Sequence, residues 1–216
     1  MSLTPESLAP KLEYELLDPL ATAVDVEKLL ATAQDLSVPA ICVAPHLLPA
    51  VPETELQLGT VCGFPTGMHH SLLKATEARF AVQCGAIQVD LVPNLGAVQA
   101  GDWNTLLAEI VAVREAITDH VQLTVVLENA VFSEEQLVQA ARTAVQAGAN
   151  NVKAATGFHP AGGATVAAVR ALAGAVPAGI GVKAGGGIET FEQAAALIDA
   201  GATALAVSRV REILAG

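Results

Sequence analysis

Short runs rich in Val, Ile and Leu recur along the chain, and Ala-rich stretches with helical periodicity separate them. The runs at 14–18, 39–43, 58–63, 86–92, 122–128, 150–154, 180–184 and 203–207 predict strands. Strands that alternate with helices specify parallel βα units, and eight such units close a barrel.

Helix punctuation supports this division. Ser133 with Gln136 and Thr190 with Gln193 fit capping boxes, and Gly148 and Gly201 stand where C-terminal caps belong. Helices are therefore expected over Glu134–Ala147 and Phe191–Ala200. Between the second and third strands, Pro49 and Pro52 leave room only for a short or broken helix in His46–Glu55. Thr4–Lys11 predicts a helix that caps the bottom of the barrel. The pattern shows no linker or second domain, so residues 1–216 are expected to form a single α/β domain, an eight-stranded (β/α)8 TIM barrel. The architectural competitor, a doubly wound open sheet, needs a Gly-rich turn after its first strand, and Leu16-Leu17-Asp18-Pro19-Leu20 offers none. The glycine-rich turn lies instead after the seventh strand, where phosphate-binding barrels carry it.

Composition narrows the partners. Hydrophobic residues make up 52% and charged residues 15% of the chain, which suits buried parallel strands under helices. A net charge of −11 without clustered Lys or Arg argues against nucleic acid and anionic membranes as partners, while a small phosphorylated ligand remains compatible through local amides. No apolar stretch reaches membrane-span length. The three cysteines, Cys42, Cys62 and Cys84, form no Cys-x-x-Cys pair and follow no secretory start, so a reducing cytoplasm is expected. His69-His70 read as solvated loop residues rather than metal ligands, and no metal is expected. A homodimer is the assembly that an apolar barrel exterior would allow.

Active sites of such barrels form at the C-terminal ends of the strands, where this chain places Asp18, Asp90, Glu128, Lys153, Lys183 and Ser208. Only five lysines exist, and Lys153 and Lys183 end consecutive apolar runs, which puts their amines about 5 Å apart on neighbouring strands. At that separation two ammonium groups repel by about 3 kcal/mol, enough to lower one pKa by roughly two units. A neutral lysine attacks carbonyls and forms an imine that stabilises a carbanion at the adjacent carbon. The competing reading is a pair of structural salt bridges. Asp90 would either bridge to Lys183 or, with it, orient a water and move protons. Gly185, Gly186 and Gly187 before a helix offer amides to an anion, with Ser208 and Arg209 after the last strand as a second half of the site.

In order and spacing, several segments resemble the deoxyribose-phosphate aldolase family over nearly the full length. They are Thr60-Val-Cys-Gly-Phe-Pro-Thr-Gly67, Lys74 with Glu77, Val89-Asp90-Leu91-Val92, Gly148-Ala149, Val152-Lys153 with Thr156-Gly157-Phe158, and Val182-Lys183-Ala184 with Gly186-Gly187-Ile188. The resemblance implies a barrel and a class I aldolase without metal or other cofactor, which cleaves 2-deoxyribose 5-phosphate reversibly to glyceraldehyde 3-phosphate and acetaldehyde. It implies Lys153 as the Schiff-base lysine, Lys183 as the lysine that perturbs it, and Asp90 as their acidic partner. Gly157, Gly186, Gly187 and Ser208 fall where the family holds the substrate phosphate, and Asp18 and Thr156 join them as substrate-binding candidates.

Departures from the family pattern surround these residues. The usual Asp-His-Thr near the first strand reads Asp18-Pro19-Leu20, the fifth-strand lysine is Thr124, and the acid before Asp90 is Gln88. Ala154-Ala155 replace Thr-Ser after the Schiff-base lysine, and Gly185 replaces a serine in the phosphate loop. Imine chemistry on a small phosphorylated sugar is the leading expectation. A Schiff-base aldolase with another short aldehyde or ketone donor, and a non-catalytic sugar-phosphate-binding barrel, are the alternatives.

Overall fold

In the computed structural model, which describes residues 3–216, eight parallel strands close into a barrel in sequence order. The strands are β1 (Leu12–Leu16), β2 (Ala40–Val43), β3 (Gln57–Cys62), β4 (Gln88–Leu91), β5 (Gln122–Val126), β6 (Asn151–Lys153), β7 (Gly181–Gly185) and β8 (Ala204–Val207), and β1 pairs with both β2 and β8. The helices are α1 (Pro5–Leu8), α2 (Ala23–Asp35), α3 (Ser71–Gln83), α4 (Leu95–Ala100), α5 (Trp103–Ala116), α6 (Glu134–Gln146), α7 (Val166–Ala175), α8 (Phe191–Asp199) and α9 (Val210–Ala215).

The expected punctuation is present. Both capping boxes form, on α6 through Ser133 and Gln136 and on α8 through Thr190 and Gln193. Gly148 and Gly201 follow those helices with φ of 91° and 111°, which a side chain would resist. Between β2 and β3 the chain makes only a 3-10 turn over Pro45–Ala50, with Pro49 inside it. The N-terminal helix is α1 plus a 3-10 turn, Ala9–Lys11.

Alternation along each strand sorts the side chains. Leu12, Ile41, Val89, Leu91, Leu123, Val125, Val152, Val182 and Leu205 face outward into a continuous apolar layer with helix residues such as Leu29, Ile110, Leu137 and Leu172. The opposite set, including Glu13, Gln88, Asp90, Thr124, Lys153 and Lys183, fills the lumen and is buried. The barrel thus has an apolar core outside its wall and a polar interior.

The first strand departs from the expected span. It runs over Leu12–Leu16 rather than 14–18, because Leu12, Tyr14 and Leu16 alternate with Glu13 and Glu15 and supply the pleat. Beyond it, the Asp18 carboxylate accepts the Leu20 amide at 2.8 Å and folds the chain into a turn before Pro19 can extend the strand. At the other end of the barrel sequence, Gly185 belongs to β7 rather than to the loop after it.

Candidate active site

Lys153 and Lys183 are register partners on β6 and β7, as their spacing predicts. Both project into the lumen and are almost wholly buried. Lys153 Nζ donates to Glu15 Oε1 at 2.6 Å and to Asp90 Oδ2 at 3.0 Å. Lys183 Nζ donates to Asp90 Oδ1 at 3.0 Å and to Glu13 Oε1 and Oε2 at 3.0 and 2.9 Å. Three carboxylates therefore share two ammonium groups.

This charge balance overturns the expectation of a neutral amine set by lysine–lysine repulsion. Burial favours the uncharged form of Lys153, but Glu15, Asp90 and Glu13 outweigh it and hold the amine protonated, well above the usual lysine range. For Lys183 burial acts in the same sense, and Asp90 and Glu13 again outweigh it and raise the pKa. Burial would raise the Asp90 carboxyl, yet Lys183 and Lys153 together draw it down to about 2. Glu13 is the reverse case: burial raises its pKa despite Lys183 beside it.

Beside the cluster opens a cleft of about 410 Å³, walled by Glu15, Leu17, Asp18, Thr156, Gly157, Phe158, Gly186, Gly187, Ile188 and Ser208. All six residues expected to bind substrate, Asp18, Thr156, Gly157, Gly186, Gly187 and Ser208, line this one cleft. Gly157 and Gly186 meet so closely that a Cβ on Gly186 would lie 2.5 Å from the Gly157 Cα, and both have positive φ. Among the described residues, the amides of Gly157, Gly186 and Gly187 donate to no acceptor, which leaves them free for an anion.

Two of the six have duties besides lining the wall. The Thr156 hydroxyl donates to Glu128 Oε2 at 2.6 Å and accepts the Phe158 amide at 3.0 Å, so it sets the turn. Glu128, buried at φ 42°, is the anchor of that turn. Asp18 is exposed on the rim, two residues past the strand, with one oxygen committed to its own turn. In the cleft wall, Phe158 packs edge-to-face on Phe64, with ring centroids 5.0 Å apart.

A model of the DeoC/LacD family of aldolases matches residues 13–211. A deoxyribose-phosphate aldolase of Nocardia farcinica is 49% identical over 213 residues, which cover 99% of this chain and 96% of that one. The chain belongs to the DeoC/LacD aldolase family. Among solved structures, an aldolase called QR15 superposes with a TM-score of 0.91 at 28% identity, covering 96% of this chain and 94% of its own. The deoxyribose phosphate aldolase of Aeropyrum pernix, described as a tetramer, gives 0.86 at 28% identity over 98% and 91% of the two chains.

Within this aldolase, several residues stand where sequence reasoning did not put them. Glu13 and Glu15 were missed as lysine partners, and the charge–apolar alternation Leu12-Glu13-Tyr14-Glu15-Leu16 was the signal that could have found them. Asp18 was taken for the acid near the first strand; the acids that reach the lysines are Glu13 and Glu15. Gly185 lies under Lys153 rather than in the phosphate loop, where a Cβ would stand 2.8 Å from Lys153 Cε. Lys74 pairs with Glu109 at 2.7 Å, and Glu77 accepts the Gly63 amide at 2.8 Å. Arg209 sits beside the cleft, with its Nε 3.8 Å from Glu189 Oε1.

Two candidate metal positions resolve into other roles. His70 accepts the Leu72 amide on Nδ1 at 3.2 Å and caps α3. Glu13, Glu15 and Cys42 bring ligand atoms within 4.8 Å of one another, but Lys183 and Lys153 already lie against the two carboxylates, and burial pushes the Cys42 thiol up.

Proposed function

We propose that this aldolase reversibly cleaves 2-deoxy-D-ribose 5-phosphate to D-glyceraldehyde 3-phosphate and acetaldehyde, with Lys153 as the nucleophile. The observation that carries the reading is a buried lysine amine held by two carboxylates close enough to take its proton, one of which, Glu15, lines the cleft. The likeness to the Nocardia farcinica enzyme supports the substrate.

In this reading the open-chain sugar presents its C1 aldehyde to Lys153 and its phosphate to the Gly157, Gly186 and Gly187 amides and the Ser208 hydroxyl. Asp18 meets substrate at the rim, and Thr156 shapes the wall. Once the protonated imine has formed, the C3 hydroxyl loses its proton and the C2–C3 bond breaks. Its electron pair passes into the enamine on Lys153, and glyceraldehyde 3-phosphate leaves. Asp90 and Lys183 relay the proton that returns to C2, and water releases acetaldehyde.

The whole chain acts as one domain, and the setting is cytoplasmic, in keeping with three free cysteines. No described helix is long and apolar enough to cross a membrane. Self-association is part of the proposal: α3 leaves Leu72, Leu73 and Phe80 exposed, and the Aeropyrum pernix relative is tetrameric. Sedimentation tests that part.

Turnover tests the rest. The parent protein releases acetaldehyde from 2-deoxyribose 5-phosphate, and Lys153→Leu, folded by circular dichroism, releases none. Undiminished cleavage by that variant defeats the assignment.

A further inference from the structure

Glu15 occupies a position that the proposed reaction does not yet use. It is the only member of the charged cluster that lines the cleft, and its side chain is 10% exposed while that of Lys153 is 0% exposed. The substrate side of Lys153 is therefore the Glu15 carboxylate. One oxygen of Glu15 accepts the amine at 2.6 Å, and the other, Oε2, accepts no hydrogen bond among the described residues. The other acids near the amine are committed. Asp90 is shared with Lys183 and drawn down to about 2, which makes it a poor proton acceptor, and Glu13 is held on both oxygens by Lys183. The other titratable groups near Glu15 are Cys42, the rim carboxylate of Asp18, and Tyr14, Asp25 and Lys28, which share a neighbouring cavity with it.

Resting on the Schiff-base reading above, we propose that Glu15 is a catalytic residue that takes the Lys153 proton into the cleft and returns it to the departing oxygen. Lys153 rests as an ammonium, so attack requires a base within reach of Nζ and an acid within reach of the substrate oxygen. Glu15 is positioned for both. The Lys153 ammonium gives one proton to Glu15, and the freed lone pair forms the C–N bond to the aldehyde carbon. A second amine proton moves to the carbonyl oxygen, which gives the carbinolamine hydroxyl. Glu15 then returns the first proton to that hydroxyl, the C–O bond breaks, and water leaves as nitrogen donates its pair into the protonated imine. The three protons of the ammonium end as two on water and one on the imine, and Glu15 is again a carboxylate.

The sign of one substitution separates this role from a passive counter-charge. Glu15→Gln keeps an acceptor oxygen beside Lys153 but removes a negative charge, which by itself frees the amine of its proton more readily. A passive Glu15 would therefore leave imine formation as fast or faster. The test is the rate of borohydride-trapped acetaldehyde adduct on Lys153 in parent, Glu15→Gln and Glu15→Ala proteins, the last with and without formate, each checked for folding by its thermal midpoint. The expected result is adduct on the same lysine in all three, formed about 100-fold or more slowly in both variants. Formate, a small carboxylate that fits the vacated volume, then accelerates Glu15→Ala in proportion to its concentration. Trapping by Glu15→Gln at the parent rate, or slow trapping that formate does not relieve, overturns the proposal. A parent protein that forms no Lys153 adduct fails the Schiff-base reading instead, so the two failures are distinct.

Discussion

Lys153 and Lys183 face each other across one bridge of the β6–β7 ladder, and each ammonium lies 3.0 Å from a different oxygen of the same carboxylate, Asp90. Repulsion between the two amines is thus absorbed by a shared acid. The lysine that must become a nucleophile rests charged, and its deprotonation becomes a step of the reaction rather than a property of the resting site.

Replacing Lys183 by Met should disable proton movement without abolishing the nucleophile. Asp90 would then serve Lys153 alone and hold its proton more firmly, while Glu13 would lose its counter-charge. We expect kcat to fall by roughly 10²–10⁴-fold, with the trapped adduct still on Lys153 but slower to form. Steady-state kinetics with peptide mapping checks this, and a parent-like kcat would remove Lys183 from the relay.

The phosphate end should respond differently. Ser208→Ala removes one hydroxyl at the cleft wall, so KM for the phosphorylated sugar should rise by about 2- to 10-fold, with the unphosphorylated sugar unaffected. Gly186→Ala should do more, because the new methyl would meet the Gly157 backbone and φ at 186 is 84°. A stability loss of roughly 1–3 kcal/mol, read by urea denaturation, is expected beside the KM rise.

Lys74 and Glu109 form a second buried pair, remote from the cluster. Lys74 Nζ also donates to the Gly67 carbonyl at 2.6 Å, and Glu109 Oε2 accepts the Asn94 amide at 2.6 Å, so the pair ties two loops together. Lys74→Met strands a buried carboxylate and should cost about 3–5 kcal/mol, whereas adding Glu109→Leu should recover part of it. A double-mutant cycle in urea measures the coupling.

Acid should weaken the cluster through Asp90. Its carboxyl is depressed from 3.8 to about 2, so its contribution to stability is complete above 3.8 and is lost as pH falls through about 2. Glu13 has the opposite sign: its raised pKa contributes stability below 4.5 that is lost as pH climbs through the folded value. The two lysines, raised by their carboxylates, contribute up to 10.5 and lose that contribution only above it. Unfolding free energy measured on descending pH should therefore drop in the range 3.8 to about 2, and Asp90→Asn should flatten that drop.

Much of this was legible in the chain. The β-rich runs placed all eight strands to within two residues, and Lys153, Lys183, Asp90 and the glycine loop converge as their strand-end positions imply. The first strand was displaced by two residues at both ends, and that offset hid the most consequential contacts. Leucines 16 and 17 read as the apolar end of a strand, whereas the pleat actually runs through Leu12, Tyr14 and Leu16 and aims two glutamates inward. Acids in an alternating pattern ordinarily face solvent, and only closure of the barrel around a polar lumen turns Glu13 and Glu15 toward lysines far away in sequence. The same contacts decide the protonation of Lys153, a property that lysine spacing alone predicted with the wrong sign.

Borohydride reduction in the presence of acetaldehyde, followed by peptide mass spectrometry, shows which lysine forms the imine. A reduced two-carbon adduct is expected on Lys153 and on no other lysine. A folded protein that yields no adduct, or one carrying it on Lys183 with Lys153 unmodified, would contradict the assignment of Lys153 as the nucleophile.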